Sequence, residues 1–192
     1  MKITSPIFLQ QAGRAGKTPF AGIKVLFPYA NPIIGNVSGN GDITITSVKN
    51  GEKISNTYSD PSNLTVSVQA DANTWVVITG EIQSFNCSNY YVEKIIAYNN
   101  TALTSLYCYN CPGLTALDLS TNTALTSLNC YNCPAIDSIK YGAENEDVAT
   151  SIADLITANA ALKGTVYTDS NGEFYSTIAD EATSAGWTIA QL

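Results

Sequence analysis

Apolar residues recur along the middle of this chain with a period of eleven residues. From Val92 the sequence divides into VEKIIAYNNTA, LTSLYCYNCPG, LTALDLSTNTA and LTSLNCYNCPA, and a fifth unit begins at Ile136. Positions 1 and 4 of each unit are apolar, position 6 is apolar or small, and position 9 is Asn or Cys. Because strand side chains alternate between faces, positions 4 and 6 point to one side and position 5 to the other. The pattern predicts one short strand in each unit and a continuous core between stacked units.

Two consecutive units form a larger repeat. The string CYNCP returns after 22 residues, and NNTA is answered by TNTA at the same interval. An 11-residue unit cannot close a compact coil by itself, whereas the double unit matches L-x-x-L-x-L-x-x-[NC], the pattern of leucine-rich repeats with periods of about 20–29 residues. An inward Asn or Cys at position 9 could satisfy backbone groups of the turn that follows each strand.

The units resemble the leucine-rich repeats that are abundant in Bacteroidetes bacteria and in phages that infect them. The stretch NTALTSLNCYNCP carries the resemblance, together with the lead-in NTWVVITGEIQSFNCSN (73–89) and the closing YSTIADEATSAGWTI (175–189). The similarity covers roughly residues 64–192. It implies a binding or surface protein without catalytic residues.

The predicted fold is therefore an α/β solenoid, a leucine-rich-repeat-like right-handed coil of short parallel strands with a β N-cap and an α/β C-cap. Runs rich in β-branched residues predict strands for the N-cap at 43–48, 64–70 and 75–79. The predicted segments are a basic apolar N-terminal anchor arm (1–41), the β N-cap (42–81), the repeat coils (82–141) and the C-terminal cap (142–192).

Beyond residue 141 the period of the apolar residues changes to that of a helix. After an acidic start, apolar residues recur at helical spacing at Val148, Ile152, Leu155, Ile156 and Leu162, and Gly164 marks the predicted end of the helix. A strand at 165–168, a second helix at 174–186 and a last strand at 187–192 are predicted to complete the C-terminal cap.

Charge divides the chain into two parts. Residues 1–41 hold four basic residues and no acidic one, whereas residues 42–192 hold five basic and sixteen acidic residues, so charges of +4 and −11 give the net −7. A basic, apolar head of this kind is predicted to dock on other protein subunits. The candidate anchor residues are Ile7, Phe8, Leu9, Arg14, Lys17, Phe20, Leu26 and Phe27.

Composition narrows the possible chemistry. The chain contains no histidine, which removes Ser–His and Cys–His nucleophiles and His-ligated metals. A net charge of −7 argues against binding to nucleic acid. No apolar run approaches the ~20 residues that span a bilayer, and the first residues lack the apolar core of a secretory signal. We expect no catalytic residue, no metal and no cofactor.

Five cysteines include two CxxC pairs, Cys108–Cys111 and Cys130–Cys133. Their separation is compatible with a zinc site, and disulfides are a further alternative. The third interpretation is that all four fill inward repeat positions, because Asn100 and Asn122 occupy position 9 in the intervening units.

Outward positions of one strand ladder are rich in Tyr, Ser and Asn, a composition common at surfaces that recognise sugars or proteins. Cross-strand packing of the tyrosines is the alternative explanation. The candidate residues are Ser105, Tyr107, Tyr109, Ser127, Asn129 and Tyr131.

These features predict a non-enzymatic structural or interaction protein that forms a homo-oligomer or joins a hetero-assembly. The leading hypothesis is a phage virion component assembled in the host cytoplasm, such as a capsid decoration, head fibre or tail-associated subunit, docked through residues 1–41. The alternative is an adhesion module on the bacterial surface that binds glycan or protein through the tyrosines. Removal of residues 1–35 is expected to leave a folded body.

Overall fold

The computed structural model describes residues 21–142, 145–169, 172 and 174–192. Six candidate anchor residues lie outside these ranges, namely Ile7, Phe8, Leu9, Arg14, Lys17 and Phe20.

Twelve strands and two α-helices form within the described residues. The strands are β1 (Gly22–Phe27), β2 (Ile33–Lys49), β3 (Glu52–Ser59), β4 (Leu64–Ser67), β5 (Thr74–Asn86), β6 (Lys94–Tyr98), β7 (Ser105–Tyr107), β8 (Ala116–Leu119), β9 (Ser127–Asn129), β10 (Ser138–Tyr141), β11 (Thr165–Thr168) and β12 (Thr188–Gln191). The helices are α1 (Glu146–Ala158) and α2 (Tyr175–Ala185), and a single 3₁₀ turn spans Ala160–Leu162.

All twelve strands belong to one mixed sheet, so the prediction of a solenoid coil of short parallel strands is wrong. The sheet order is β12-β11-β10-β8-β6-β1-β5-β2-β3, with β4 beside β2, β7 beside β5 and β9 beside β7. The two longest strands, β2 and β5, pair antiparallel with each other. Strand β1 is antiparallel to both of its neighbours. Long antiparallel strands therefore dominate the sheet and leave it open.

Strand β1 is the physical reason why the protein forms an open mixed sheet and not the predicted solenoid. Its sequence GIKVLF buries Ile23, Val25 and Phe27 in the core, with Phe27 only 1% exposed. Gly22 lies opposite both Thr79 of β5 and Tyr98 of β6. Removal of residues 1–35 would take away a strand that joins two others, so the expectation that the remainder stays folded is corrected.

The 11-residue units form the parallel part of the sheet, in two ladders. The first ladder consists of β5, β7 and β9, where Leu106 lies opposite Phe85 on one side and Leu128 on the other. The second ladder consists of β6, β8, β10, β11 and β12, where Leu117 lies between Ile95 and Ile139. All of these apolar side chains are buried. Partners in the repeat strands therefore lie 21 residues apart between β5 and β7 and 22 apart in β7–β9, β6–β8 and β8–β10, whereas β11 and β12 of the C-terminal cap extend the second ladder at wider intervals.

The helix predicted after residue 141 is present as α1, but it ends at Ala158, and Leu162 lies in the separate 3₁₀ turn. Asn145 caps its first turn, because the side-chain oxygen accepts a hydrogen bond from the Val148 amide at 3.2 Å. The apolar stripe of α1 is buried, and the Ser151 hydroxyl donates to the Leu128 carbonyl of β9 at 2.9 Å. Helix α1 thus lies beside the last strand of the first ladder.

The second helix packs against the first. The Thr157 hydroxyl of α1 donates to the Glu181 carboxylate of α2 at 2.8 Å, and the Trp187 indole donates to the Asn159 carbonyl at 3.2 Å. Among the described residues, neither helix is long and apolar enough to cross a membrane.

We expect Phe27→Ala to lower the free energy of unfolding by about 3–5 kcal/mol, because the substitution leaves a cavity in the sheet core. Ile33→Ala is the matched control, since Ile33 on β2 is 40% exposed and its truncation should cost about 1 kcal/mol or less. Urea titration followed by circular dichroism measures both values. Equal losses in the two variants would contradict the central position of β1.

Candidate functional site

The tyrosine face comprises Ser105, Tyr107, Tyr109, Ser127, Asn129 and Tyr131. Its strand residues alternate with buried leucines, as the period of two requires. Ser105 lies opposite Ser127, and Tyr107 lies opposite Asn129. The Ser127 hydroxyl donates to the Tyr107 hydroxyl at 3.4 Å. The first ladder therefore brings all four strand residues of the predicted face together.

Tyr109 and Tyr131 follow these strands and stack on each other. Their ring centroids are 5.4 Å apart and the ring planes differ by 5°. Tyr131 is 58% exposed. Aromatic pairs of this kind contribute roughly 0.5–1.5 kcal/mol beyond area burial, and one flat face of Tyr131 is left for another ring. Tyr131 therefore packs against the tyrosine of another unit and still leaves an aromatic surface exposed.

An asparagine ladder, which the sequence reasoning missed, runs beside the tyrosines. Asn89, Asn110 and Asn132 occupy position 8 of successive repeats, and their φ angles are 67°, 53° and 55°. Asn tolerates this left-handed backbone better than most residues do. The Asn132 amide donates to Asn110 Oδ1 at 2.7 Å, and the Asn110 amide donates to Asn89 Oδ1 at 2.9 Å. The sequence signal was the Asn that ends a Cys-x-Asn triplet at 87–89, 108–110 and 130–132.

A groove of about 680 Å³ lies between the end of the first ladder and α1. Tyr131 and Asn132 line one side, and Ser151, Asp154 and Leu155 of α1 line the other. Aromatic, amide, hydroxyl and carboxylate groups therefore converge on one open cavity. Such a combination of a flat apolar surface with a few polar groups is typical of ligand sites.

Side chains at the inward position 9 donate hydrogen bonds, and along the chain they alternate between asparagine amides and cysteine thiols. Asn100 and Asn122 donate to the carbonyls of Ile82 and Asn100, each at 3.0 Å. Cys111 and Cys133 donate their thiols to the carbonyls of Cys87 and Cys108 at 3.3 and 3.0 Å. Amide and thiol therefore serve the same purpose, which is to satisfy a buried main-chain carbonyl of an earlier unit.

All five cysteines are free and buried. Burial raises the pKa of the Cys108 and Cys130 thiols well above the ordinary range. The pKa of Cys111 is lowered by a hydrogen bond with Cys133 but raised by one with Cys87 and by burial, and the net pKa is about 12. These thiols are therefore protonated at neutral pH, the form that neither binds metal nor attacks disulfides. Within the described ranges, no cluster of three or more potential ligands could hold a metal ion.

Two of the predicted anchor residues belong to β1. Phe27 is buried against the core, where its ring contacts Tyr29 with centroids 5.8 Å apart. Leu26 is half-buried and lies opposite Trp75 of β5 and Lys94 of β6. Both residues take part in the sheet, away from the tyrosine face.

Comparisons of this chain with protein-family models, curated proteins and solved structures return no match. What the residues themselves define is a β-rich protein with a tyrosine-lined groove at one end of a parallel ladder. The likeness to the repeat proteins of Bacteroidetes and their phages stays a prediction.

The buried thiols predict that stability falls at alkaline pH. An unfolded cysteine loses its proton near pH 8.5, whereas buried Cys108 keeps its proton well above that, so its stabilising contribution is complete below about pH 8.5 and declines as the pH rises. We expect the free energy of unfolding to fall by up to about 1.4 kcal/mol per pH unit per thiol above that pH. Urea titrations at pH 7.5, 9 and 10 measure the slope.

Cys108→Ala provides the comparison for this prediction. The variant loses one titrating thiol, so its stability should depend less steeply on pH, while contributions from tyrosines and lysines cancel between the two proteins. Parallel slopes for the variant and the natural chain would show that Cys108 does not titrate with unfolding.

Proposed function

We propose that this protein is a non-enzymatic interaction protein that binds a protein segment or a glycan through the tyrosine face and its groove. The observation that carries the proposal is the stacked pair Tyr109–Tyr131, whose outer ring is largely exposed at the mouth of a cavity. Tyrosine offers a rigid contact area and a hydroxyl group at little entropic cost. Ser127 and Asn129 place short hydrogen-bonding groups beside the rings.

The non-enzymatic part of the proposal rests on the side chains at the groove. Asp154 supplies the carboxylate of the groove, and the other described lining residues include no second carboxylate and no basic side chain. Burial raises the pKa of the Cys130 thiol at the groove, which is therefore protonated at neutral pH, and the chain contains no histidine. Binding is the function that this set of groups supports.

We further propose that the protein is a phage virion component that docks on its assembly through the part of the N-terminal head that precedes β1. The support is the charge asymmetry, since residues 1–41 carry four basic residues and no acid, and the resemblance of the repeat units to proteins of Bacteroidetes phages. Display of the same module on a bacterial cell surface is the alternative setting. Co-purification with virus particles, as opposed to retention on cells, distinguishes the two.

Loss of both stacked rings should abolish recognition. For the double variant Tyr109→Ala, Tyr131→Ala we expect binding on arrays of glycans and of peptides to fall about 10-fold or more, because the aromatic contact area is lost. The double variant Tyr91→Ala, Tyr98→Ala is the matched control, since both side chains are exposed but lie outside the groove. The same loss in both double variants would argue against the tyrosine face.

The docking role of the head is tested in the full chain by Phe8→Asp, Leu9→Asp. We expect the natural protein to self-associate and the double variant to have a lower mass by light scattering, because carboxylates oppose burial of this apolar segment. The control is Ile33→Asp, on the exposed face of β2. A natural chain that is monomeric at all concentrations would contradict the head's role in homo-oligomer assembly.

A further inference from the structure

Main-chain hydrogen bonds of the first ladder follow one rule. The amides at positions 6 and 8 of each unit donate to carbonyls two repeats of eleven further along the chain. These bonds are Cys87 to Tyr107 at 2.9 Å, Cys108 to Asn129 at 2.8 Å, Asn89 to Tyr109 at 3.0 Å and Asn110 to Tyr131 at 3.1 Å. The rule predicts acceptors for the amides of Cys130 and Asn132 as well.

Those two amides have no acceptor among the described residues. The chain does not form a further strand beside β9, because it continues into β10 of the second ladder and then into α1. Ser151 of α1 donates to the Leu128 carbonyl in the middle of β9, and its own carbonyl accepts from the Cys130 thiol at 3.9 Å, so neither contact involves the two amides. Buried main-chain N–H groups are nearly always paired, and Cys130 is buried. The edge of the ladder is thus incomplete at the groove.

The stacked tyrosines and the asparagine ladder both end beside these amides, at Tyr131 and Asn132. Asn132 donates to Asn110, but within the described residues its own Oδ1 accepts from no protein group. The ring of Tyr131 stacks on Tyr109 with one face only. The main-chain amides of Cys130 and Asn132, the Oδ1 atom of Asn132 and one face of the Tyr131 ring therefore all lack a partner on the same side, where a further strand would lie.

We infer that the groove binds an extended segment of a partner protein, which adds beside residues 130–132, at the end of the first ladder, as its next strand. The amides of Cys108 and Asn110 already bind two carbonyls that lie two residues apart, those of Asn129 and Tyr131. Carbonyls at that interval in an extended peptide, about 6.6 Å apart, would serve the amides of Cys130 and Asn132 in the same way. A planar side chain of the segment stacks on Tyr131, and a polar side chain donates to Asn132 Oδ1. The inference rests on the proposed function and fixes the class of its ligand.

Charge complementarity specifies the segment further. Asp154 is the charged residue among the described residues that line the groove, and it is exposed on α1. A Lys or Arg beside the planar residue would pair with this carboxylate, whereas an acidic segment would be repelled. The partner segment is therefore extended, aromatic and basic.

The chain itself supplies the probe. Residues 129–132 already occupy this position relative to the preceding strand, so the test peptide is acetyl-Asn-Ser-Tyr-Asn-Lys-amide, in which serine replaces the cysteine. We expect saturable changes in the NMR amide signals of Cys130 and Asn132 of the full chain, with a Kd on the order of 1 mM for so small an interface. Maltotriose, as a neutral saccharide of similar size, is titrated in parallel.

Variants of the full chain test each contact separately. Tyr131→Ala should weaken peptide binding about 3- to 10-fold through loss of stacking, while Tyr98→Ala, on the second ladder, should leave it unchanged. Asp154→Asn should weaken the lysine-containing peptide about 2- to 5-fold and leave a peptide with alanine in place of lysine unaffected.

The outcomes separate this inference from the proposed function. Amide changes with the peptide and none with maltotriose support the inference. Changes with the saccharide alone overturn the peptide assignment but leave the tyrosine face as a binding site. An absence of any change at Cys130 and Asn132 with either probe overturns the inference, and unaltered array binding by Tyr109→Ala, Tyr131→Ala would overturn the proposed function independently.

Discussion

Main-chain hydrogen bonding between alternate 11-residue units is the constraint on which the rest of the structure depends. The bonds fix a register of 21 or 22 residues, so that equivalent residues of alternate 11-residue units lie directly beside each other. Leucines then form the core, tyrosines stack and asparagines bond to asparagines, each because its copy occupies the neighbouring strand. A single geometric rule thus produces the apolar core and the candidate site together.

The residues at buried position 9 show that side chains of different chemistry can meet the same hydrogen-bonding requirement. Asn122 and Cys133 differ in polarity and size, yet each donates to a carbonyl of an earlier unit. Where the main chain needs only one donor, amide and thiol are interchangeable. The CxxC spacing, which also fits a zinc site, is in this fold a consequence of two inward positions that lie three residues apart in the repeat.

The sequence predicted the repeat period, the apolar columns, both helices and the residues of the tyrosine face. It could not predict β1, because five mostly apolar residues from Ile23 to Phe27 pair with strands far along the chain, and local periodicity carries no information on such partners. The asparagine ladder escaped notice because it depends on a left-handed backbone at position 8. The groove arises where α1 replaces a strand beside β9, which is a tertiary property.

The position of β1 also has a consequence for biosynthesis. Gly22 and its neighbours leave the ribosome early, but their partners Thr79 and Tyr98 are translated only later. Until residue 98 has emerged, Ile23, Val25 and Phe27 have nowhere to be buried. Such non-local pairing makes loop closure a prerequisite for folding and slows it. The nascent chain therefore exposes an aggregation-prone strand until residue 98 has emerged, and a chaperone at the ribosome could bind that strand in the meantime.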